Sequence, residues 1–193
     1  MIECGAATES DMVLAFLRAE VDSLRFSQNV RFCLQMLGQD RLLIDNADVA
    51  DVGQNGIRRA LLGGYRGYGQ DAFLFRGFPR DVRWRRVVLE AGDLEALLYA
   101  KEPSWIAFSD STRRVSVGAK NAGANPMGEG VMAVATAIRE GTQFPELIVA
   151  EATEGPLVLV EGHTRATAHV LAGSEVVQAI IGSSTQMARW EFY

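Results

Sequence analysis

The chain has 193 residues, 48% of them apolar and 22% charged, with 9 Phe and 3 Trp; this excludes a disordered chain, which lacks the apolar surface that offsets chain entropy. Its longest apolar stretch, residues 131–138, is far short of the roughly 20 residues that cross a bilayer, so no membrane partner is expected. A net charge of −5 argues against bulk attraction to nucleic acid or anionic lipid, which depends on clustered Lys and Arg.

The acidic start Met1-Ile2-Glu3-Cys4 is unlike the basic start of a secretory leader. Cys4 and Cys33 have no metal-ligand spacing and cannot build a disulfide framework, so they read as free thiols of a cytoplasmic protein in a reducing compartment. Charge is unevenly spread: residues 1–57 carry 4 basic and 9 acidic side chains, residues 58–120 carry 12 and 7, and residues 121–193 carry 3 and 8. There is no repeat, low-complexity tract or Pro- and Ser-rich linker. One folded unit is therefore expected, with a helical extension over 1–70 and an α/β domain over 71–193.

Thr8-Glu9-Ser10-Asp11 predicts a helix start, because a hydroxyl accepts the orphan amide protons and acids suit the positive end of the helix dipole. Val13, Phe16, Leu17, Val21 and Leu24 follow at near-helical spacing. Val30, Leu34 and Leu37 predict a second helix ended by Gly38. A third, beginning near Asn46 or Asn55, carries Ile57, Leu61 and Leu62 until Gly63, Gly64, Gly67 and Gly69 break it. Residues 71–86 are irregular around Phe73, Phe75, Phe78 and Pro79; Val82, Trp84 and Val88 then alternate with Arg83 and Arg85 in a strand-like period of two. Asp93 is placed to cap a short helix reaching Tyr99. Residues 104–109 (SWIAFS) read as a short strand, 110–113 as a turn, and 121–128 as a small-residue loop, either a mobile lid over a ligand or a long turn.

The last third alternates most clearly: a helix over 130–140, strands over 147–150 and 157–160 around a turn at Glu154-Gly155-Pro156, a helix over 164–172 and a strand over 176–181. The alternation predicts an α/β (α+β) fold, a small mixed sheet packed with helices, although strand direction is not readable from periodicity.

Chemistry concentrates at Leu157-Val158-Leu159-Val160-Glu161-Gly162-His163-Thr164-Arg165. An apolar strand runs into a glycine and then a helix, which aims unpaired amides of the first helical turn past the strand end. Gly162 permits close approach, Thr164 caps the helix or bonds a phosphate oxygen, and Arg165 supplies a planar cation for two oxygens. His163 is either a ligand contact or a backbone-bonded residue. His169 stands six residues from His163, about 240° around the helix, so no metal site is expected there, and His169 reads as a helix-face residue.

The words LIVAEA, VLVEGHTRATA and EVVQAIIGS resemble the ParB/sulfiredoxin-like superfamily, in which a strand, a G-x-x-R turn and a helix bind nucleotide phosphates, and the resemblance covers about residues 129–182. Gly162 and Arg165 match that Gly and Arg. His163 and Thr164 fill the middle, where sulfiredoxins carry Cys-His and ParB proteins Glu-Arg. Neither Cys4 nor Cys33 falls at the sulfiredoxin nucleophile position, so sulfinic acid reduction is not implied. No helix-turn-helix signal accompanies the motif, which leaves little support for a partition role. A further branch of the superfamily is similar to free serine kinases, and that likeness implies phosphoryl transfer with Glu161 as base or metal partner and a nucleotide with Mg²⁺ as cofactor.

The expected function is binding of a nucleotide or another phosphorylated small molecule at Gly162, His163, Thr164 and Arg165. Were it catalytic, the chain would be a nucleotide-dependent phosphotransferase or NTP hydrolase with Glu161 and His163 as the acting residues. The alternative is a non-catalytic nucleic-acid-binding or adaptor protein using the basic middle segment, where Arg76, Arg80, Arg83, Arg85 and Arg86 surround Trp84; the competing reading of that segment is an edge strand defended by charge. Arg113 and Arg114 are candidates for the same pocket or for nucleic acid. Nuclease action ranks lowest, because the acids and histidines are too few to specify metal-assisted cleavage.

Overall fold

A computed structural model describes residues 1–193. Five strands, β1 (Ile2–Ala7), β2 (Arg83–Glu90), β3 (Leu147–Ala152), β4 (Leu157–Glu161) and β5 (Val176–Ser184), form one sheet in the order β1-β2-β5-β3-β4. β3 and β5 are parallel, and every other neighbouring pair is antiparallel. The fold is therefore α/β with a mixed sheet. No helix is long and apolar enough to cross a membrane.

The central strands read as unbroken apolar runs, and this is what a sheet covered on both faces requires. Ile148 and Ala150 of β3, Val158 and Val160 of β4 and Ile180 of β5 point into one core; Leu147, Val149, Leu159, Ala179 and Ile181 point into the other. The first core is closed by α1 (Glu9–Glu20), α2 (Ser27–Met36), α3 (Leu42–Asp45) and α4 (Val52–Arg66). The second is closed by α5 (Ala91–Ala96), α6 (Pro103–Phe108), α7 (Val115–Asn121), α8 (Gly128–Arg139) and α9 (His163–Ala172). The segment expected as a helical extension thus opens with an edge strand paired to β2 and supplies one of the two covering layers.

Local chemistry explains the helix ends. Thr8 and Asp11 form a capping box at α1, the Thr8 hydroxyl accepting from the Asp11 amide at 3.1 Å and the Asp11 carboxylate from the Thr8 amide at 2.8 Å. α4 starts at Asp51, whose side chain accepts from the Gln54 amide, and runs through Gly63 and Gly64. It stops only at Gly67, where φ is +82° and a Cβ would meet the Ala72 carbonyl oxygen at 2.0 Å.

α5 begins at Ala91, two residues before Asp93, with Glu90 as its cap, and ends at Ala96. The expected strand over 104–109 is instead α6. Glu102 accepts from the Trp105 amide, Pro103 stands at the first helical position, and Trp105 and Phe108, three apart, are both buried.

Candidate functional site

β4 delivers the chain to Gly162, and α9 leaves it. Gly162 has φ +98°, and a Cβ there would lie 2.6 Å from Leu147 Cδ2 and 3.0 Å from Arg165 Nη2; both backbone angle and space demand glycine. No side chain caps α9, and the amides of His163, Thr164 and Arg165 have no acceptor in the protein. The first intrahelical bond runs from the Ala166 amide to the Gly162 carbonyl at 2.7 Å.

These residues line a cavity of about 790 Å³. Its other walls come from the end of α1 and the turn after it (Arg18 to Phe26), from Arg66 at the end of α4, from Glu102 and Trp105 of the α6 start, from α8 and from Phe144 and Pro145. The N-terminal helices therefore roof the corner, which no spacing in the sequence reveals.

Arg165 departs from expectation. Its guanidinium does not face open space: the residue is 8% exposed, Nη1 donates to the Pro145 carbonyl at 2.6 Å and Nη2 stands 3.4 Å from Glu161 Oε1. It shapes the wall rather than reaching from it. Thr164, half-buried at the second helical position, faces the cavity without a capping bond.

His163 is also more constrained than a free acid or base. Its Nε2 accepts from the Ala100 amide at 3.2 Å, and its ring stacks on Trp105 at 5.2 Å and Tyr99 at 5.9 Å. Burial first, then the positive field of Arg66, Arg25, Arg165 and Arg113, pushes its pKa down to about 3. The ring is neutral at physiological pH, with its proton on Nδ1, a donor with no protein acceptor.

A second polar group in the cavity wall was not picked out by motif. Glu20, the last residue of α1, is 1% exposed, and its Oε1 lies 3.4 Å from Arg66 Nε. Neither Glu20 oxygen, nor Arg66 Nε, nor the buried Tyr65 hydroxyl has a hydrogen-bond partner. The signal was present in the pattern: Glu20 falls on the same helical face as Phe16 and Leu17, a carboxylate inside an apolar stripe.

Comparisons with family models, with curated proteins and with solved structures give no match.

The remaining basic residues lie elsewhere. Arg85 pairs with Glu151 at 2.8 Å and bonds Ser183, and Arg86 pairs with Asp11 and Glu146; both cations are engaged by acids of the flanking thirds. Arg83 is exposed on β2 beside a separate polar hollow containing Asp81 and Glu154. Arg113 donates to the main-chain oxygens of Tyr99, Tyr193 and Phe192, anchoring the last residues. Arg114 is exposed at the start of α7. None of these lines the cavity at Gly162. Cys4 and Cys33 are free thiols. No group of three or more His, Cys, Asp or Glu side chains is gathered to hold a metal ion.

Proposed function

We propose that the cavity binds a nucleotide or another phosphorylated small molecule, with a phosphate seated on the amides of His163, Thr164 and Arg165. The observation that carries this reading is the run of three unpaired amides at the start of a ten-residue helix, opening onto a solvent-open cavity. Such a terminus combines aligned N–H donors with the positive end of the helix dipole, the arrangement that favours an anion. Arg18, Arg25 and Arg66 line the same space, where Glu20, Asp22, Glu102 and Glu161 balance their charge, so the helix amides and the neutral Nδ1–H of His163 rather than a net positive field are the donors offered to an anion. Phe26, Trp105 and Phe192 offer apolar surface to the rest of the ligand, and about 790 Å³ falls within the range of small-molecule sites. The resemblance of the G-x-x-R corner to ParB/sulfiredoxin-like proteins points the same way.

Were phosphoryl transfer or hydrolysis to follow binding, Glu161 is the residue placed to take a proton, its side chain 18% exposed at the corner. His163 fits the role of a positioning donor instead, since its Nε2 is occupied and its low pKa keeps it neutral.

Thr164→Asp tests the anion site. A carboxylate at the second helical position suits the helix dipole, so the unliganded melting temperature should hold or rise slightly, while the same charge repels phosphate. In wild type, a nucleotide at one hundred times its Kd contributes about 2.7 kcal/mol, a shift of roughly 5–10 °C for a chain of this size. Differential scanning fluorimetry with nucleoside mono-, di- and triphosphates and inorganic phosphate, with and without Mg²⁺, should show that shift in wild type and none in the variant. A shift surviving Thr164→Asp, or absent from wild type across the panel, overturns the reading.

A further inference from the structure

Away from the corner amides, the polar side chains of the cavity wall are largely committed to each other. Four arginines and four acids line the space, so it offers no cationic excess to a chain of phosphates. Each acid is engaged: Glu20 is buried beside Arg66, Asp22 pairs with Arg41, Glu102 accepts from the Trp105 amide, and Glu161 stands against Arg165. No free carboxylate is left to accept from a base amine or a ribose hydroxyl. The apolar remainder of the wall is drawn from five segments: Leu24 and Phe26 after α1, Leu74 before β2, Val134 of α8, Phe144 before β3, and Phe192. Phe26, Leu74, Val134, Phe144 and Phe192 are half-buried, whereas Leu24 is fully exposed at the cavity, an apolar side chain that nothing in the chain covers.

Resting on the phosphate reading above, we propose that the ligand is a phosphate monoester of an apolar alcohol, with its single phosphate on the α9 amides and its alkyl or aryl body along the apolar wall from Leu24 to Phe192. Hydrogen bonds tie that wall to the anion seat. The Ala100 amide donates to His163 Nε2 at 3.2 Å, and the next amide, of Lys101, donates to the Phe192 carbonyl at 2.8 Å. On the other side, Phe144 directly precedes Pro145, whose carbonyl holds Arg165. Small-molecule sites of this kind fix a ligand by a few polar groups and cover the rest of it with apolar side chains. An apolar body gains in proportion to the area it removes from water. A nucleoside would give up the hydration of its ribose hydroxyls and base edge and find no free carboxylate to replace it.

Isothermal titration calorimetry on the full chain with inorganic phosphate, with ethyl, butyl and hexyl phosphate, with hexanol, and with adenosine mono- and triphosphate tests the proposal. Kd should fall at least about twofold for each methylene added between ethyl and hexyl phosphate, against a ceiling of about fourfold for complete burial. Adenosine monophosphate should bind more weakly than hexyl phosphate, and the triphosphate no more tightly than the monophosphate. Leu24→Gln alters a side chain that the fold does not bury, so the ligand-free melting temperature should hold, while the affinity ratio between hexyl and ethyl phosphate narrows by about threefold. Affinity that ignores chain length, a nucleotide that outbinds hexyl phosphate, or a ratio that does not narrow in Leu24→Gln overturns the proposal and leaves the phosphate site standing. Hexanol binding as tightly as hexyl phosphate, or no binding by any of these molecules, removes the phosphate site as well.

Discussion

Glu20 shows how a single side chain can set the pH behaviour of the whole chain. Burial, reinforced by Glu161 and opposed by Arg66, raises its pKa from 4.5 to about 8. Below pH 4.5 the carboxyl is protonated in folded and unfolded chains alike, and its contribution to stability is complete. Above that, the unfolded chain ionises freely while the folded chain keeps its proton or buries a charge, so stability falls with rising pH until it is lost above about pH 8. His163 acts in the opposite sense: its pKa, lowered from 6.5 to about 3 by burial and the surrounding arginines, makes the folded state lose stability as pH falls through that interval. Glu20 is therefore read most cleanly between pH 6.5 and 8. Glu20→Gln should flatten the decline in melting temperature over that window and raise it at pH 8 by about 4–8 °C, from relief of roughly 2 kcal/mol. Thermal unfolding by circular dichroism at stepped pH measures this, and parallel curves for variant and wild type would show that Glu20 does not govern the slope.

At the scale of elements, the corner between β4 and α9 was readable because its determinants are local. An apolar run, a glycine at a positive φ and a helix with free first-turn amides all lie within a few consecutive residues. What was not readable is where Arg165 points, because its partner is the carbonyl of Pro145, in the connection before β3. Residues 104–109 were misread for a related reason: SWIAFS has the composition of a strand, and the cap at Glu102 with Pro103 behind it outweighs that composition. The buried setting of Arg165 carries its own consequence. Arg165→Ala removes the bond to Pro145 and leaves Glu161 without its cation inside the wall, at a cost of about 3 kcal/mol. The ligand-free melting temperature should fall by roughly 6–12 °C, and a fall under about 2 °C would return Arg165 to the role of a free ligand-gripping cation. Thr164→Asp leaves that wall intact, which makes it the cleaner probe of binding.

At the scale of the molecule, the sequence predicts one folded unit, and the helices it sets apart as an extension form one of the two layers over the sheet. Periodicity marks the N-terminal helices as amphipathic, yet it does not say what their apolar faces cover, and the exposed six-residue strand β1 has no alternation to betray it. The cover is the sheet itself. Ile148, Ala150, Val158, Val160 and Ile180 share one core with Met12, Phe16, Leu17, Leu61 and Leu62, and the candidate cavity lies between the same N-terminal helices and the Gly162 corner. A chain cut to residues 71–193 would expose that face of β3, β4 and β5 to water and leave β2 as an open edge, a template for aggregation. It should lack a cooperative thermal transition and dispersed amide resonances, while the full chain shows both. Addition of residues 1–70 in trans should restore them only where β1 pairs with β2 again and α1 and α4 reseal the core. A truncated chain that unfolds cooperatively by itself would mean that the sheet and the α5 to α9 layer are sufficient, and that the helices roofing the cavity are a dispensable lid rather than half of the fold.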